Sequence, residues 1–413
     1  MSSARAAAET KRKSVDSGTK KKRLYFKGIP VFTEGGFDII YLILVFLLLT
    51  IGLIMMFSAS YVSAKYGGNS TGNDPFYYIK KQLVFAVFGI IMMFILSKIN
   101  PGIFKLFTPA ISVFSGILLI LVLIVPAEIP GKEEFKRWLV IPLIKTTFQP
   151  SDVAKLALIL GLAYLVEKYK KEIEKKWWVA LLFFGLVGAV CGLVYLEHHL
   201  SGTILMGLIG IGMLYLGGLD GRWFAIGIVV AIAGILFILT FKDKILNPYQ
   251  AERIDSFIHK DYDDVDTRWQ TNQSLFALGS GGFFGLGLGN SIQKHLYMPE
   301  PQNDFIFAIV GEELGFFRCV IILMIFAALV FRGFIIATRT KTLFERLVVL
   351  GISLQIGLQT VFNILVVTDM VPNTGISLPF FSYGGTALVV QLVEMGIVLS
   401  VSRSGNRVRA GKK

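Results

Sequence analysis

Asp304 closes the segment Met298-Pro-Glu-Pro-Gln-Asn-Asp304 and is followed at once by Phe305-Ile-Phe and a long apolar run. The prolines stiffen the approach, and the apolar run sets the carboxylate at a boundary between water and an apolar medium. Partial burial raises a carboxyl pKa and so the basicity of the carboxylate, which suits a general base. An aspartate before a helix is equally an ordinary N-cap that satisfies free backbone N–H groups. The local sequence leaves both roles open. Other ionisable residues fall within or at the ends of apolar runs: Lys155, Glu197 with His198 and His199, Glu312 with Glu313, and Glu394. Charge in such surroundings is costly, so each of these groups pairs with a neighbour or does chemistry. Pairing accounts for Glu394 and for Glu312 with Glu313 at least as well as a functional role. His198 and His199 raise the question of a metal, but adjacent histidines on a helix point apart and do not share one ion easily.

Two further patterns resemble ligand loops. The glycine-rich run Gly279–Gly289 has the look of a dinucleotide fingerprint, but that motif belongs between a strand and a helix. Here it follows a polar connection between apolar runs, so the expected use is a tightly turning backbone close to a lipid or a sugar, with N–H groups able to face a phosphate. The acids of Asp261–Asp266 lack the glycine and terminal glutamate of a calcium loop and read as a solvated turn.

The elements that must position these residues are membrane helices. Hydrophobic residues make up 54% of the 413 and charged ones 17%, and the mean hydropathy is +0.66. The apolar residues come in blocks close to the ~20 needed to span a bilayer. Ten spans are expected, near Phe37–Ser58, Gln82–Ile99, Ile103–Val125, Val153–Val166, Trp178–Leu196, Thr203–Gly217, Trp223–Phe241, Phe305–Ala337, Val348–Val371 and Thr386–Val401; the fourth and sixth are short. The fold class expected is therefore all-α and polytopic. Residues 1–36 form a basic, uncleaved cytoplasmic tail, 37–403 the transmembrane unit and 404–413 a second basic tail. The net charge of +13 concentrates in the tails and in alternate loops, as the positive-inside rule requires. That places both termini in the cytoplasm and assigns the charge to orientation and anionic lipid rather than to nucleic acid. The outside then holds Pro126–Asp152, the long loop 242–304 with a short surface helix over Tyr249–Ile258, and the hairpin Asp369–Gly385. Cys191 and Cys319 lie in apolar blocks and are expected to be free thiols.

Several motifs occur in order along the chain: Phe57-Ser-Ala-Ser60, Lys136-Arg-Trp138, Phe148-Gln-Pro-Ser-Asp152 with Lys155, Ser201-Gly-Thr203, Gln270-Thr-Asn-Gln-Ser274, Gly311-Glu-Glu-Leu-Gly315 and Gly375-Ile-Ser-Leu-Pro-Phe-Phe-Ser-Tyr-Gly-Gly385. Together with the segment ending at Asp304 they resemble the shape, elongation, division and sporulation family (FtsW, RodA and SpoVE), and the wording from Lys294 to Gln302 is nearer the division and sporulation branch. The chain departs from the family's usual pattern at Gln302-Asn303, Asp152 and His198-His199. The resemblance implies a glycosyltransferase that polymerises lipid II into peptidoglycan on the outer face of the bacterial cytoplasmic membrane. It also implies a class B penicillin-binding transpeptidase as partner, with other division proteins and membrane lipids around it.

The residues implied are Asp304 as the catalytic base and Arg137, Lys155 and Lys294 as charges facing the leaving pyrophosphate. Trp138, Glu300, Gln273 and Ser382 are the further substrate contacts expected from these motifs. No protein-held metal is expected, although a divalent cation, Mg or Mn, would also suit the leaving group. The rival readings are a flippase for lipid-linked precursors, which would place its key charges at mid-membrane, and a non-catalytic division scaffold.

Overall fold

The computed structural model describes residues 24–66, 71–127, 136–141, 146–173, 176–227, 265–373 and 375–410, with the single positions 229, 240 and 257. Within them run ten helices: α1 (Ile39–Tyr66), α2 (Tyr77–Lys98), α3 (Pro101–Ile124), α4 (Pro150–Lys168), α5 (Trp177–Leu196), α6 (Leu200–Leu216), α7 (Val265–Gly281), α8 (Ile306–Ala337), α9 (Leu343–Val367) and α10 (Gly385–Ala410). Two short antiparallel ribbons complete the elements. One pairs β1 (Tyr25–Phe26) with β2 (Ile29–Pro30), the other β3 (Leu139–Ile141) with β4 (Thr146–Phe148).

Seven of these helices are long and apolar enough to cross a membrane: α1, α2, α3, α5, α8, α9 and α10 over Gly385–Gly405. Nine of the expected spans coincide with helices, including the short α4 and α6. Of the seventh, Trp223–Phe241, residues 223–227, 229 and 240 are described and helical; the rest of it, and all of the surface helix over Tyr249–Ile258 but residue 257, lies outside the described residues. Several helices start or end beyond their apolar runs because caps, not hydropathy, set the ends. In α9 the Thr342 side chain accepts from the Glu345 amide at 3.1 Å, one half of a capping box. In α3 the Asn100 side chain accepts from Gly102 N at 2.9 Å, with Pro101 in the first turn. The helix α4 sits at the centre, packed by α3, α6 and α9, with every residue from Leu156 to Ala163 buried. Protein on all sides lets it be short and carry charge at both ends.

Contacts fix which helix ends lie together. Asp38 before α1 accepts from Arg332 near the end of α8 at 2.8 and 2.9 Å and receives Tyr41 N at 3.0 Å; its own amide bonds Ser402 Oγ on α10. Lys105 at the start of α3 pairs with Glu167 at the end of α4 at 2.6 Å. At the opposite end, Tyr78 of α2 meets the Tyr383 ring before α10, and Ser58 of α1 meets Glu313 near the start of α8. Loops carrying Lys98, Lys168, Arg339 and Lys341 therefore share one end, and the starts of α4, α6, α8 and α10 share the other.

Two irregular stretches break the helical pattern. The sequence predicts one uninterrupted span from Phe305, but α8 is broken at Gly315, whose φ of 77° and ψ of 173° are not helical. The glycine run expected to face a lipid or sugar fills this break instead. Its backbone donates from Leu286 N to Glu312 O at 2.9 Å and from Gly287 N to Glu313 O at 3.0 Å. Its carbonyls accept from Phe316 N and Phe317 N, through Gly282 O and Phe283 O. The Glu312 and Glu313 carbonyls and the Phe316 and Phe317 amides thus find partners across the break, as broken helix at membrane depth requires. A Cβ on Gly315 would strike the Gly285 backbone, and one on Gly285 would strike the backbone of Glu313 and Leu314. Secondly, the 369–385 hairpin folds into the bundle: Phe380 and Phe381 are buried, and a Cβ on Gly52 in α1 would meet the Phe380 carbonyl.

Candidate active site

At the end where α4, α6, α8 and α10 begin, the described residues enclose a cavity of about 690 Å³. Its wall is contributed by Arg137 and Trp138 ahead of β3, by Gln149, Asp152 and Lys155 around the start of α4, and by His199 before α6. Glu300, Asn303 and Asp304 ahead of α8, the hairpin at Gly375–Ser377 and Tyr383, and Tyr77, Tyr78 and Lys81 of α2 complete it.

Asp304 lines the cavity and is anchored there through its backbone. The N-cap position of α8 is Phe305, whose side chain makes no cap hydrogen bond. The Asp304 carbonyl accepts from Asn363 Nδ2 of α9 at 2.7 Å, and the same amide nitrogen donates to Ile376 O at 2.7 Å. One buried asparagine thereby pins the start of α8 against the hairpin. Gly375 lies over the carboxylate with φ +71°, and a Cβ there would come within 3.1 Å of Oδ2. The turn before Asp304 is braced by Asn303 Nδ2 donating to Glu300 Oε2 at 2.9 Å and by Tyr383 N donating to Gln302 O at 2.8 Å.

Positive charge lines the same cavity. Arg137 donates through Nη2 to the carbonyl of His198, which the left-handed φ of 58° at His198 presents. Lys155 pairs with Asp152 one turn earlier at 2.9 Å, so its charge is partly compensated. Lys81 bonds the Tyr77 hydroxyl at 2.6 Å and lies 4.1 Å from the centre of its ring. His199 is neutral: burial, then the Arg137 and Lys155 charges, hold it well below the usual histidine range. Its Nδ1 is 3.3 Å from Gln149 Nε2.

Five residues singled out in the sequence therefore line one cavity: Asp304, Arg137, Trp138, Lys155 and Glu300. Three do not. Lys294 is buried in an ion pair, Nζ to Glu313 Oε1 at 2.7 Å, with Ser58 Oγ at 3.1 Å. It balances a buried carboxylate and cannot also face a pyrophosphate. Gln273 is buried on α7 away from the cavity, whereas Gln270 of the same motif lines it and bonds Pro299 O at 3.1 Å. Ser382 bonds Leu378 N at 2.7 Å and borders a smaller chamber of about 50 Å³ that continues inward to Glu394. Glu312 and Glu313 are structural as well. Glu312 accepts from Ser291 Oγ and from Ile292 N at 2.9 Å, and Ser58 donates to Glu313 at 2.7 Å, which accounts for the Phe57-Ser-Ala-Ser60 motif. Lys81 and the tyrosines were not legible as site residues; a lysine pair on the expected outer side, against the inside bias, is the one signal for Lys81.

The family model for FtsW, RodA and SpoVE, described as a cell cycle protein, matches residues 39–407. The chain belongs to this family. Similar relatives span nearly the whole of it. The stage V sporulation protein E of Bacillus subtilis is 37% identical over 369 residues, covering 89% of this chain and 97% of its own. A protein named probable peptidoglycan glycosyltransferase FtsW from Geobacter sp. (strain M18) is 33% identical, with 89% and 97% covered. Among solved structures, a chain from a study of the structural coordination of polymerization and crosslinking by a peptidoglycan synthase complex superposes with a TM-score of 0.71 at 27% identity, covering 89% of this chain and 98% of that one. The rod shape determining protein RodA of Thermus thermophilus gives 0.63 at 26% identity, with 89% and 97% covered. An FtsW/RodA/SpoVE fold thus carries the cavity, with the break in α8 and the inserted hairpin as its irregular parts.

Proposed function

We infer that this FtsW/RodA/SpoVE member is a peptidoglycan glycosyltransferase that polymerises lipid II, with the cavity at the outer face of the membrane and Asp304 as its base. The observation that carries the reading is the place of Asp304 at the wall of a cavity that also holds Arg137, Lys155 and Lys81. A sugar hydroxyl of one lipid II gives its proton to the Asp304 carboxylate as its oxygen bonds the anomeric carbon of the growing strand's lipid-linked end. The bond from that carbon to the pyrophosphate breaks, and undecaprenyl pyrophosphate leaves with the electron pair. A single displacement inverts the anomeric centre. Arg137 meets the charge that develops on the leaving group, where preorganised donors count most; its planar fork suits phosphate. Lys155, compensated by Asp152, and Lys81 add to the field.

No three His, Cys, Asp or Glu side chains gather into a metal site among the described residues. A divalent cation here would be held in the manner of magnesium, by Asp304 or Glu300 and the substrate's own phosphate oxygens, and would supply further charge to the leaving group. The partner is a class B penicillin-binding transpeptidase, a reading supported by the likeness to a chain of a peptidoglycan synthase complex. Purified protein incubated with lipid II tests the function. Glycan strands are expected; transport of lipid II across proteoliposomes with no polymer, even with the partner added, would identify a flippase instead.

A further inference from the structure

His199 stands at the N-cap of α6 and lines the cavity beside Gln149 and Lys155. Its ring rests against the first turn of α6, where Gly202 has no side chain. A Cβ there would come within 2.6 Å of Nδ1 and 2.7 Å of Cε1. On the other side, Nδ1 is 3.3 Å from Nε2 of Gln149 at the N-cap of α4, and that same nitrogen donates to Ser151 Oγ at 2.9 Å. An amide nitrogen has only protons to offer, so Nδ1 accepts and the ring proton sits on Nε2. Among the described residues the His199 side chain makes no other hydrogen bond. Nε2 has no partner and yet is not a buried atom, so it opens on the cavity that the ring lines.

We propose that His199 is a further contact of the leaving pyrophosphate, its neutral imidazole donating Nε2–H to a phosphate oxygen. This rests on the reading of the cavity as the site that polymerises lipid II. The surroundings call for an anion. Two helices of 19 and 17 residues, α4 and α6, begin at this corner, and helix starts favour negative charge. Arg137 and Lys155 both act on the ring, and the Asp152 carboxylate is taken up by Lys155 at 2.9 Å. The Gln149 contact keeps the ring in one tautomer, because a proton on Nδ1 would face another donor. With Nε2 protonated and Nδ1 engaged, the ring has no lone pair for a metal, which settles the question raised by the two adjacent histidines for His199. A donor fixed before the reaction meets the charge that grows on the pyrophosphate as the anomeric bond breaks. His199 is also a position at which the chain departs from its family's usual pattern, so the donor is this chain's own.

Initial rates with purified full-length protein and its transpeptidase partner, lipid II concentration varied, test the proposal. His199→Ala should lower kcat about 10²-fold with KM changed less than about threefold. At about pH 8, where free imidazole is mostly uncharged, added imidazole should restore part of the rate to this variant. Added 1-methylimidazole, which has an acceptor but no N–H, should restore none. His199→Ala turnover within about twofold of wild type overturns the proposal, as does a loss carried by KM alone or equal restoration by the two imidazoles. Should the alanine protein not fold or take up neither imidazole, His199→Gln and His199→Met decide, being alike in length. The glutamine, which carries an N–H, should turn over at least about tenfold faster than the methionine, and equal rates overturn the proposal. Polymer from the wild type with an unimpaired His199→Ala sinks the role of His199 alone. No polymer from the wild type, partner present, sinks the reading of the cavity beneath it.

Discussion

Carboxylates decide most of this chemistry, and their surroundings sort them. Asp304 faces a cavity, Glu313 a lysine, Glu312 a serine and backbone amides, and Glu197 no donor at all. The sequence supports the first through its position at an apolar boundary and the motif around it. It also leaves pairing open for Glu312 and Glu313, which is what the fold does with them. It cannot place Lys294, because the residue that captures it lies 19 positions away beyond a loop whose path sequence does not reveal. Removing Lys294 leaves the Glu313 carboxylate buried and unpaired. Lys294→Ala should therefore lose roughly 3–5 kcal/mol, read as a large fall in melting temperature in detergent, whereas Lys294→Met with Glu313→Leu should recover most of it. Arg137→Ala should keep its fold and lower turnover by ~10²-fold, and Arg137→Lys should recover little of that. Glu197 also bears on stability. In the unfolded chain a glutamate gives up its proton near ~4.3, and in the folded protein only near 8. The native state thus holds the extra proton between those values, and stability falls as pH rises through that window. Glu197→Gln should flatten part of this slope and melt higher than wild type at pH 8.

Among the elements, helices were legible and breaks were not. Long apolar runs report their own span, so α1, α2, α3 and α5 fall where hydropathy places them. The kink in α8 does not show in the composition because Gly315 is one glycine in an otherwise apolar stretch, and its partner, the 282–287 turn, lies about thirty residues earlier. The helix α7 was read as part of a long loop because it is polar. Its place is fixed by tertiary bonds such as Arg268 to Asp369 at 3.1 Å and Ser274 Oγ to Val367 O at 2.7 Å. The conformation at Gly315 demands a residue without a side chain, and the opposing backbone of Gly285 leaves no room for a Cβ. Gly315→Ala and Gly285→Ala should each reduce the yield of folded protein sharply, whereas Gly116→Ala in α3, where a Cβ meets nothing within 4 Å, should be harmless or mildly stabilising. Monodisperse yield on size exclusion measures all three.

For the whole molecule, sequence and structure agree that charge separates the two ends. The bias of Lys and Arg among loops gives a topology, and the contacts at Asp38, Lys105 and Glu313 bring the same loops together in space. A cysteine at Lys81 should accordingly react with an impermeant thiol reagent in intact protoplasts, and one at Lys171 should not. The reverse pattern would put the cavity on the cytoplasmic side. The most direct test of the account is Asp304→Asn. Asparagine keeps the shape of the side chain, and the Asp304 backbone stays tied to Asn363, but the amide cannot take a proton from a sugar hydroxyl. Given lipid II and partner, the variant should fold and bind substrate as wild type does and yet form no glycan strands. Polymer from Asp304→Asn at near the wild-type rate would contradict the assignment of Asp304 as the base.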